Sequence, residues 1–375
     1  MIVETKEFKQ LCSKILYALD NSSVDTNITD NLEIISDTSG VLYLNVTNKE
    51  YYVSTIFYTN NKDTIHATVN ASTFLKLISQ ITTNNIEFNV DGNTLNIKGN
   101  GKYKLPLIFD NDKMLELPKI EIYNKTLRVD IDKTILDSII NYNSKEIIKE
   151  NITKPIQKMY YLDDKGCITF TGTGACVNEF TLSKPFKILL NSKIVKLFKI
   201  FKPNTQISFY LGYDYISDSI LQTKVSFDDG DSKITAILSC DDSLLNSVPV
   251  NPIRSKINFN YPYSIVIDKN ILSQSLSRLM VFNKNNNNIL YNYYNFNFRP
   301  NELIISDSNN SNIEVIPYQN NNIVSEYSTM LNVNEFKYIL DGCSDQYITI
   351  LFGAQNSILV VRNNIKNILM EYNKE

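Results

Sequence analysis

"NSKIVKLFKIFK", residues 191–202, places Lys193, Lys196, Lys199 and Lys202 in one short run with no carboxylate. At about 100° per residue, Ile194, Leu197, Phe198, Ile200 and Phe201 fall on one side of a helix and the lysines spread over the other. The apolar side is a core-packing face. The lysine side is either a solvated face or a surface aimed at something anionic, and one segment does not choose between them. The residues after this helix carry more information. "KPNTQ" leads into the alternating strand "ISFYLGYDYI" and then into further strands through "KVSFDDGDSKITAIL".

The same order occurs twice more. "NASTFLKLISQI" is followed by "TTNN" and "IEFNVDGNTLNIKGNGKYKLPLIF", and "NVNEFKYILDGC" by "SDQ" and "YITILFGAQNSILVVRNNIKNILMEY". Each unit starts at an asparagine (Asn70, Asn191, Asn332) placed to cap the adjoining helix. A second helical pattern precedes each: "TKEFKQLCSKILYAL" from Thr5, "DKTILDSIINY" from Asp132 and "DKNILSQSLSRLMVF" from Asp268. The spacing is about a third of the chain. Prolines interrupt the pattern near "ELPKIEI" (116–122) and "VPVNPIRSKINF" (248–259), which predicts three domains, 1–118, 119–250 and 251–375, of one α+β plan.

The 375 residues carry a net charge of -3, with 43% hydrophobic and 21% charged residues, values of a globular protein. No apolar run approaches the ~20 residues a membrane span needs, and "MIVETKEFKQ" is no signal peptide, so a soluble cytoplasmic protein is expected. Cys12, Cys167, Cys176, Cys240 and Cys343 are scattered without a CxxC pair and fit buried reduced thiols, not a disulfide framework or a zinc site. His66 is the only histidine, so a Ser-His-Asp arrangement would have to use it and a zinc enzyme would ordinarily need more. "GNGKYK" (99–104) lacks the spacing of a phosphate loop, and "DDGD" (228–231) sits between strand-like runs as a hairpin turn. No cofactor or metal is implied, and an enzyme is not expected.

The charge is distributed unevenly. The helical segments offer Lys6, Lys9 and Lys14; Lys76; Lys193, Lys196, Lys199 and Lys202; Lys269 and Arg278; and Lys337. Carboxylates gather instead in "DDKG", "DDGD", "CDDS" and "DNDK". If the strands pair outside and the helices face a common centre, the cations line a channel that holds a polyanion by its phosphates without reading bases.

Along essentially its full length the chain resembles the bacterial sliding clamp, the beta subunit of DNA polymerase III. The similarity is carried by "GVLYLNVTNKEYYVSTIF" and "VNASTFLKLISQITTNNIEFNVDGNTLNIKGNGKYKLPLIFDNDKMLELPKI", where "MLELPKI" stands for the closing "FP-x-LP" stretch of that family. "YYLDDKGCITFTGTGACVNEF", "LSRLMVF", "LNVNEFKYIL" and "NILMEYNKE" continue it. The resemblance implies a head-to-tail homodimer forming a six-domain ring around double-stranded DNA, with a DNA polymerase and a clamp-loader ATPase as partners. It implies a hydrophobic cleft for short linear motifs, with Thr171, Cys176, Val248, Ile368 and Met370 inside and Asn332 near the rim. It also implies a ring interface in which Tyr103 and Leu105 meet Val281 and Phe282.

The departures are specific. "TGTGA" (171–175) lacks the Asp, His and Arg of the family segment, Glu371 replaces a proline, Glu335 stands where tyrosine is frequent, and loop 20–27 has no arginine. A cleft preferring a different peptide is expected, and such divergence suits a bacteriophage or another fast-evolving replicon. Two rivals remain: a β-rich interaction protein that does not encircle DNA, and a carboxylate-metal nuclease.

Overall fold

The computed structural model describes residues 1–19, 26–59, 61–143, 154–217, 220–238, 242–283, 292–320, 323, 325–343 and 345–372. The chain forms two compact units, Met1–Leu136 with Lys193–Ser239 and Asp137–Ser192 with Cys240–Glu375.

In the first unit β1 (Ile2–Glu4) runs directly into α1 (Thr5–Ile15). After α2 (Thr26–Thr29) come β2 (Asn31–Ser36), β3 (Val41–Thr47), β4 (Tyr51–Tyr58) and β5 (Ile65–Asn70), which enters α3 (Ala71–Gln80). Then come β6 (Asn85–Asp91), β7 (Thr94–Lys98), β8 (Lys102–Pro106) and the short pair β9 (Phe109–Asp110) and β10 (Lys113–Met114). β11 (Asn124–Asp132) leads into α4 (Lys133–Ser138). In the second unit β12 (Met159–Asp163), β13 (Gly166–Phe170) and β14 (Gly174–Glu179) precede β15 (Lys187–Asn191). α5 (Ser192–Leu197) then returns the chain to the first unit and to β16 (Gln206–Ser217), β17 (Ile220–Asp228) and β18 (Ser232–Ile237).

The rest belongs to the second unit. α6 (Asp242–Asn246), α7 (Val250–Ile257), β19 (Tyr263–Asp268) and α8 (Lys269–Met280) lead to β20 (Tyr293–Arg299), β21 (Glu302–Ser306), β22 (Ile313–Pro317) and the short β23 (Gln319–Asn320). β24 (Tyr327–Asn332) enters α9 (Val333–Asp341), and β25 (Tyr347–Ala354), β26 (Ser357–Arg362) and β27 (Ile365–Met370) finish the fold.

The sheets repeat one rule. A strand that enters a helix pairs with three consecutive strands from elsewhere in its repeat, in the orders β1-β6-β7-β8, β5-β2-β3-β4, β11-β16-β17-β18, β15-β12-β13-β14, β19-β25-β26-β27 and β24-β20-β21-β22. Antiparallel pairing of β4 with β18 fuses two of these quartets into the eight-stranded sheet, and β14 with β27 fuses two more in the nine-stranded sheet. The middle repeat therefore gives one quartet to each compact unit, because ladder hydrogen bonds continue across the sequence boundaries.

Local chemistry explains the strand-to-helix joints. Asn70 accepts from the Thr73 N–H at 2.9 Å, Asp268 from Asn270 and Ile271 at 2.8 and 3.2 Å, and Asn332 from Asn334 and Glu335 at 3.0 and 3.2 Å. The helices then bury the faces their spacing predicts. Phe8 of α1 sits 5.4 Å from Phe88 and 6.3 Å from Phe74 of α3, ring centre to ring centre. Fully burying each such ring contributes about 1.5–3 kcal/mol. In the second unit Leu272, Leu276, Phe336 and Ile339 share one core with Phe296 and Phe352.

Two expectations are corrected. The stretch 191–202 is shorter as an α-helix than its apolar spacing suggests: α5 stops at Leu197 and a 3-10 turn carries Phe198–Ile200. Pro203 disfavours helical backbone at Lys202, and the tighter turn still buries Ile194, Val195, Leu197, Phe198, Ile200 and Phe201. Likewise the prolines of "VPVNPIRSKINF" do not interrupt local structure, since the stretch contains α7. Pro249 occupies its N-cap and Pro252 its first turn, where a missing N–H costs no helical bond. "DDGD" does close the β17–β18 hairpin, with Gly230 at φ 91° and the Asp229 N–H donating to Ser232 at 3.1 Å. His66 lies in β5, 3.4 Å from the buried Glu33. Cys12, Cys167, Cys176 and Cys343 are buried free thiols; Cys240 and residues 20–25 lie outside the described residues.

Candidate nucleic-acid interface and peptide groove

The helix cations divide into free and engaged groups. In the first unit Lys6, Lys76, Lys196 and Lys199 are exposed and Lys9 is half-buried. Among the described residues no ion pair engages these five. The Lys199 ammonium lies 5.4 Å from the centre of the Tyr17 ring. Lys193 stands 3.9 Å from Glu50, and Lys202 pairs with Asp231, which raises its basicity. Lys14 is half-buried, and burial pushes its ammonium down while the nearby Asp229 charge opposes that push.

In the second unit the cations have partners. Lys269 donates to the Cys343 carbonyl at 3.1 Å, and Lys337 pairs with Asp341 one helical turn on. Arg278 binds Glu314 through two nitrogens at 2.7 and 2.6 Å. Exposed pairs of this kind are screened by solvent, so they commit the side chains weakly. Sequence inspection missed Glu314 because it lies on a strand distant in sequence from α8.

Of the expected cleft residues, Thr171, Cys176, Ile368 and Met370 come together at β14 and β27, beside α7. Thr171 shapes the turn before β14: its hydroxyl accepts from the Thr173 and Gly174 N–H groups at 3.2 and 3.0 Å. A groove of about 120 Å³ runs from Thr171 and Gly172 past Met370 to Pro249, Pro252, Ile253 and Lys256. A smaller compartment of about 20 Å³ adjoins it, lined by Cys176, Glu335, Tyr338 and Ile339, and both touch Thr171 and Ile368. Cys176 and Ile368 are only 2% exposed and serve as floor.

Val248 and Asn332 are placed otherwise. Val248 is buried in the core with Ile253, Ile257 and Ile368 and lines neither hollow. Asn332 is buried as the cap of α9 and, among the described residues, lines neither hollow. The groove residues that sequence inspection missed, Pro249, Pro252, Ile253 and Lys256, sit on the helix taken for a boundary. Their signal was Ile253 and Ile257 spaced four apart behind the prolines.

Glu335 accepts a hydrogen bond from Thr173 and so ties the turn to α9. Glu371 accepts from the Tyr327 hydroxyl at 2.8 and 2.9 Å. Burial pushes its carboxyl above the ordinary range, against the opposing pull of those hydrogen bonds and of Lys256.

β8 ends one four-stranded sheet and β22 another. Tyr103 is half-buried on β8, whereas Leu105 turns inward and is 8% exposed, so it is core more than contact surface. Val281 and Phe282, just past α8, are 57% and 62% exposed. On β22, which packs beside α8, Ile313 and Val315 are also exposed and extend that apolar surface. Among the described residues no group of three or more His, Cys, Asp or Glu side chains could hold a metal, and no helix is long and apolar enough to cross a membrane.

No family model matches the sequence, and no curated protein matches it. Solved structures do. The DNA polymerase III beta subunit of Thermotoga maritima is similar at TM-score 0.76 and 15% identity, covering 100% of this chain and 99% of that one. A Pseudomonas aeruginosa sliding clamp bound to griselimycin is similar at TM-score 0.79 and 13% identity, and a Helicobacter pylori beta clamp bound to a DNA ligase peptide at 0.73 and 14%. Each of those two matches again covers 100% of this chain and 99% of the other. From end to end, the chain has the fold of the bacterial DNA polymerase III beta sliding clamps.

Proposed function

We propose that this protein is a DNA polymerase processivity factor, a sliding clamp that encircles duplex DNA irrespective of sequence. The observation that carries the proposal, beside the fold, is the set of helix lysines that, among the described residues, have no carboxylate partner (Lys6, Lys9, Lys76, Lys196 and Lys199) in a chain of net charge -3. Attraction that fades over a Debye length of about 8 Å neutralises phosphates without gripping any one of them, which permits sliding. The clamp performs no chemistry; its hold is topological. Loading falls to a separate ATPase.

The ring is a head-to-tail homodimer of three-domain chains, with domains 1–118, 119–250 and 251–375. The free β8 edge of one copy meets β22 and the Val281–Phe282 surface of the other, a heterologous contact that closes after two copies. The groove at Thr171, Pro249, Ile253 and Met370 receives linear motifs of the polymerase and the loader in the cytoplasm. The ligase peptide on the Helicobacter pylori clamp supports that use.

The test is retention after loading. The protein should stay on nicked circular DNA and run off linear DNA of the same length. Equal loss from both refutes encirclement.

A further inference from the structure

α7 carries two cations near the groove, and they have different fates. Arg254 is committed to Asp163, 2.7 Å away and nearly buried. Lys256, two residues on and so about 200° around the helix, lines the groove instead. Its ammonium donates to the Gln355 carbonyl, and among the described residues no carboxylate pairs with it. Nor, among the described residues, does any carboxylate line the groove, whose other walls are apolar residues, glycines and Thr171. Glu371 acts on Lys256 only through space, because its own oxygens face Tyr327. Burial already holds the Lys256 ammonium below the ordinary lysine range, with Glu371 offsetting part of that push.

A uniformly apolar occupant would strip more water from this ammonium and return nothing, which is a net cost. An occupant with a carboxylate at that point would restore a partner in a site where charges are less screened than in bulk water. We propose that the groove takes a linear peptide segment of another protein carrying an acidic residue beside its apolar ones, and that Lys256 is the residue that selects it. This rests on the peptide-groove reading above and gives it a specificity.

The experiment uses fluorescein-labelled hexapeptides of Leu, Ala and Phe with one Glu moved through each position, and the matching Gln set, read by fluorescence anisotropy on the full chain. The best Glu peptide should bind roughly three- to fivefold tighter than its Gln twin. That gap should close in Lys256→Gln, invert in Lys256→Glu, and shrink on the native protein as salt is raised to about 0.5 M. Twin peptides binding alike, or a gap that survives Lys256→Gln, overturns the acidic preference while leaving the groove intact. If neither set binds at all, the peptide groove itself falls and the preference with it.

Discussion

Replacing Lys196 and Lys199 together by glutamine tests the DNA-facing assignment at its centre. Both side chains are exposed, and among the described residues neither enters an ion pair, so folding loses only the Lys199 contact with Tyr17. That contact contributes about 0.5–1 kcal/mol. If each of the five lysines faces a phosphate in both copies of the ring, binding to duplex DNA should show a log–log salt slope of about -9, and the double variant about -5.4. Between 50 and 200 mM salt the native affinity should fall by a factor of roughly 10⁵ and that of the variant by roughly 10³. Anisotropy of a labelled duplex across a salt titration measures both, with a thermal melt confirming the fold. A variant slope equal to the native one would refute the assignment, because lysines that only face solvent release no counterions from DNA.

Three further outcomes are expected from the geometry. The folded Glu371 carboxyl is held above its ordinary value of 4.5, so upward from there the folded state holds more protons than the unfolded one. Stability in urea should therefore fall as pH rises through that window, and Glu371→Gln should remove the slope and be the more stable form at neutral pH. Asn332→Ala should cost about 1 kcal/mol of stability by uncapping α9, while peptide affinity stays native; a large affinity loss would return Asn332 to the cleft. Phe282→Asp should shift the mass in solution from twice 43.0 kDa to 43.0 kDa without unfolding the chain, since the ring is 62% exposed; an unchanged mass would remove Phe282 from the dimer contact.

Legibility varied with how local the cause was. Ile194, Leu197, Phe198, Ile200 and Phe201 were readable as core because helical spacing alone puts them on one face, and Asn70 and Asn332 were readable as caps because a cap acts within three residues. Pro249 and Pro252 misled because a proline breaks a helix interior but suits its first turn, and only the fold shows which position it holds. The engagement of Arg278 by Glu314 and of Lys202 by Asp231 was hidden for another reason. Each pair joins a helix, or the segment just after one, to a strand or turn far along the chain.

The sequence by itself determined the threefold order of helix and strand, the cationic character of the helical segments, and the apolar faces that build the cores, since all three depend on period and composition. Tertiary structure decided which lysines remain free, which cleft residues are floor and which are wall, and that the middle repeat is shared between two compact units. Those outcomes depend on strand pairings and side-chain contacts between residues tens to hundreds of positions apart, such as Gly174 with Leu369, and no local pattern encodes them.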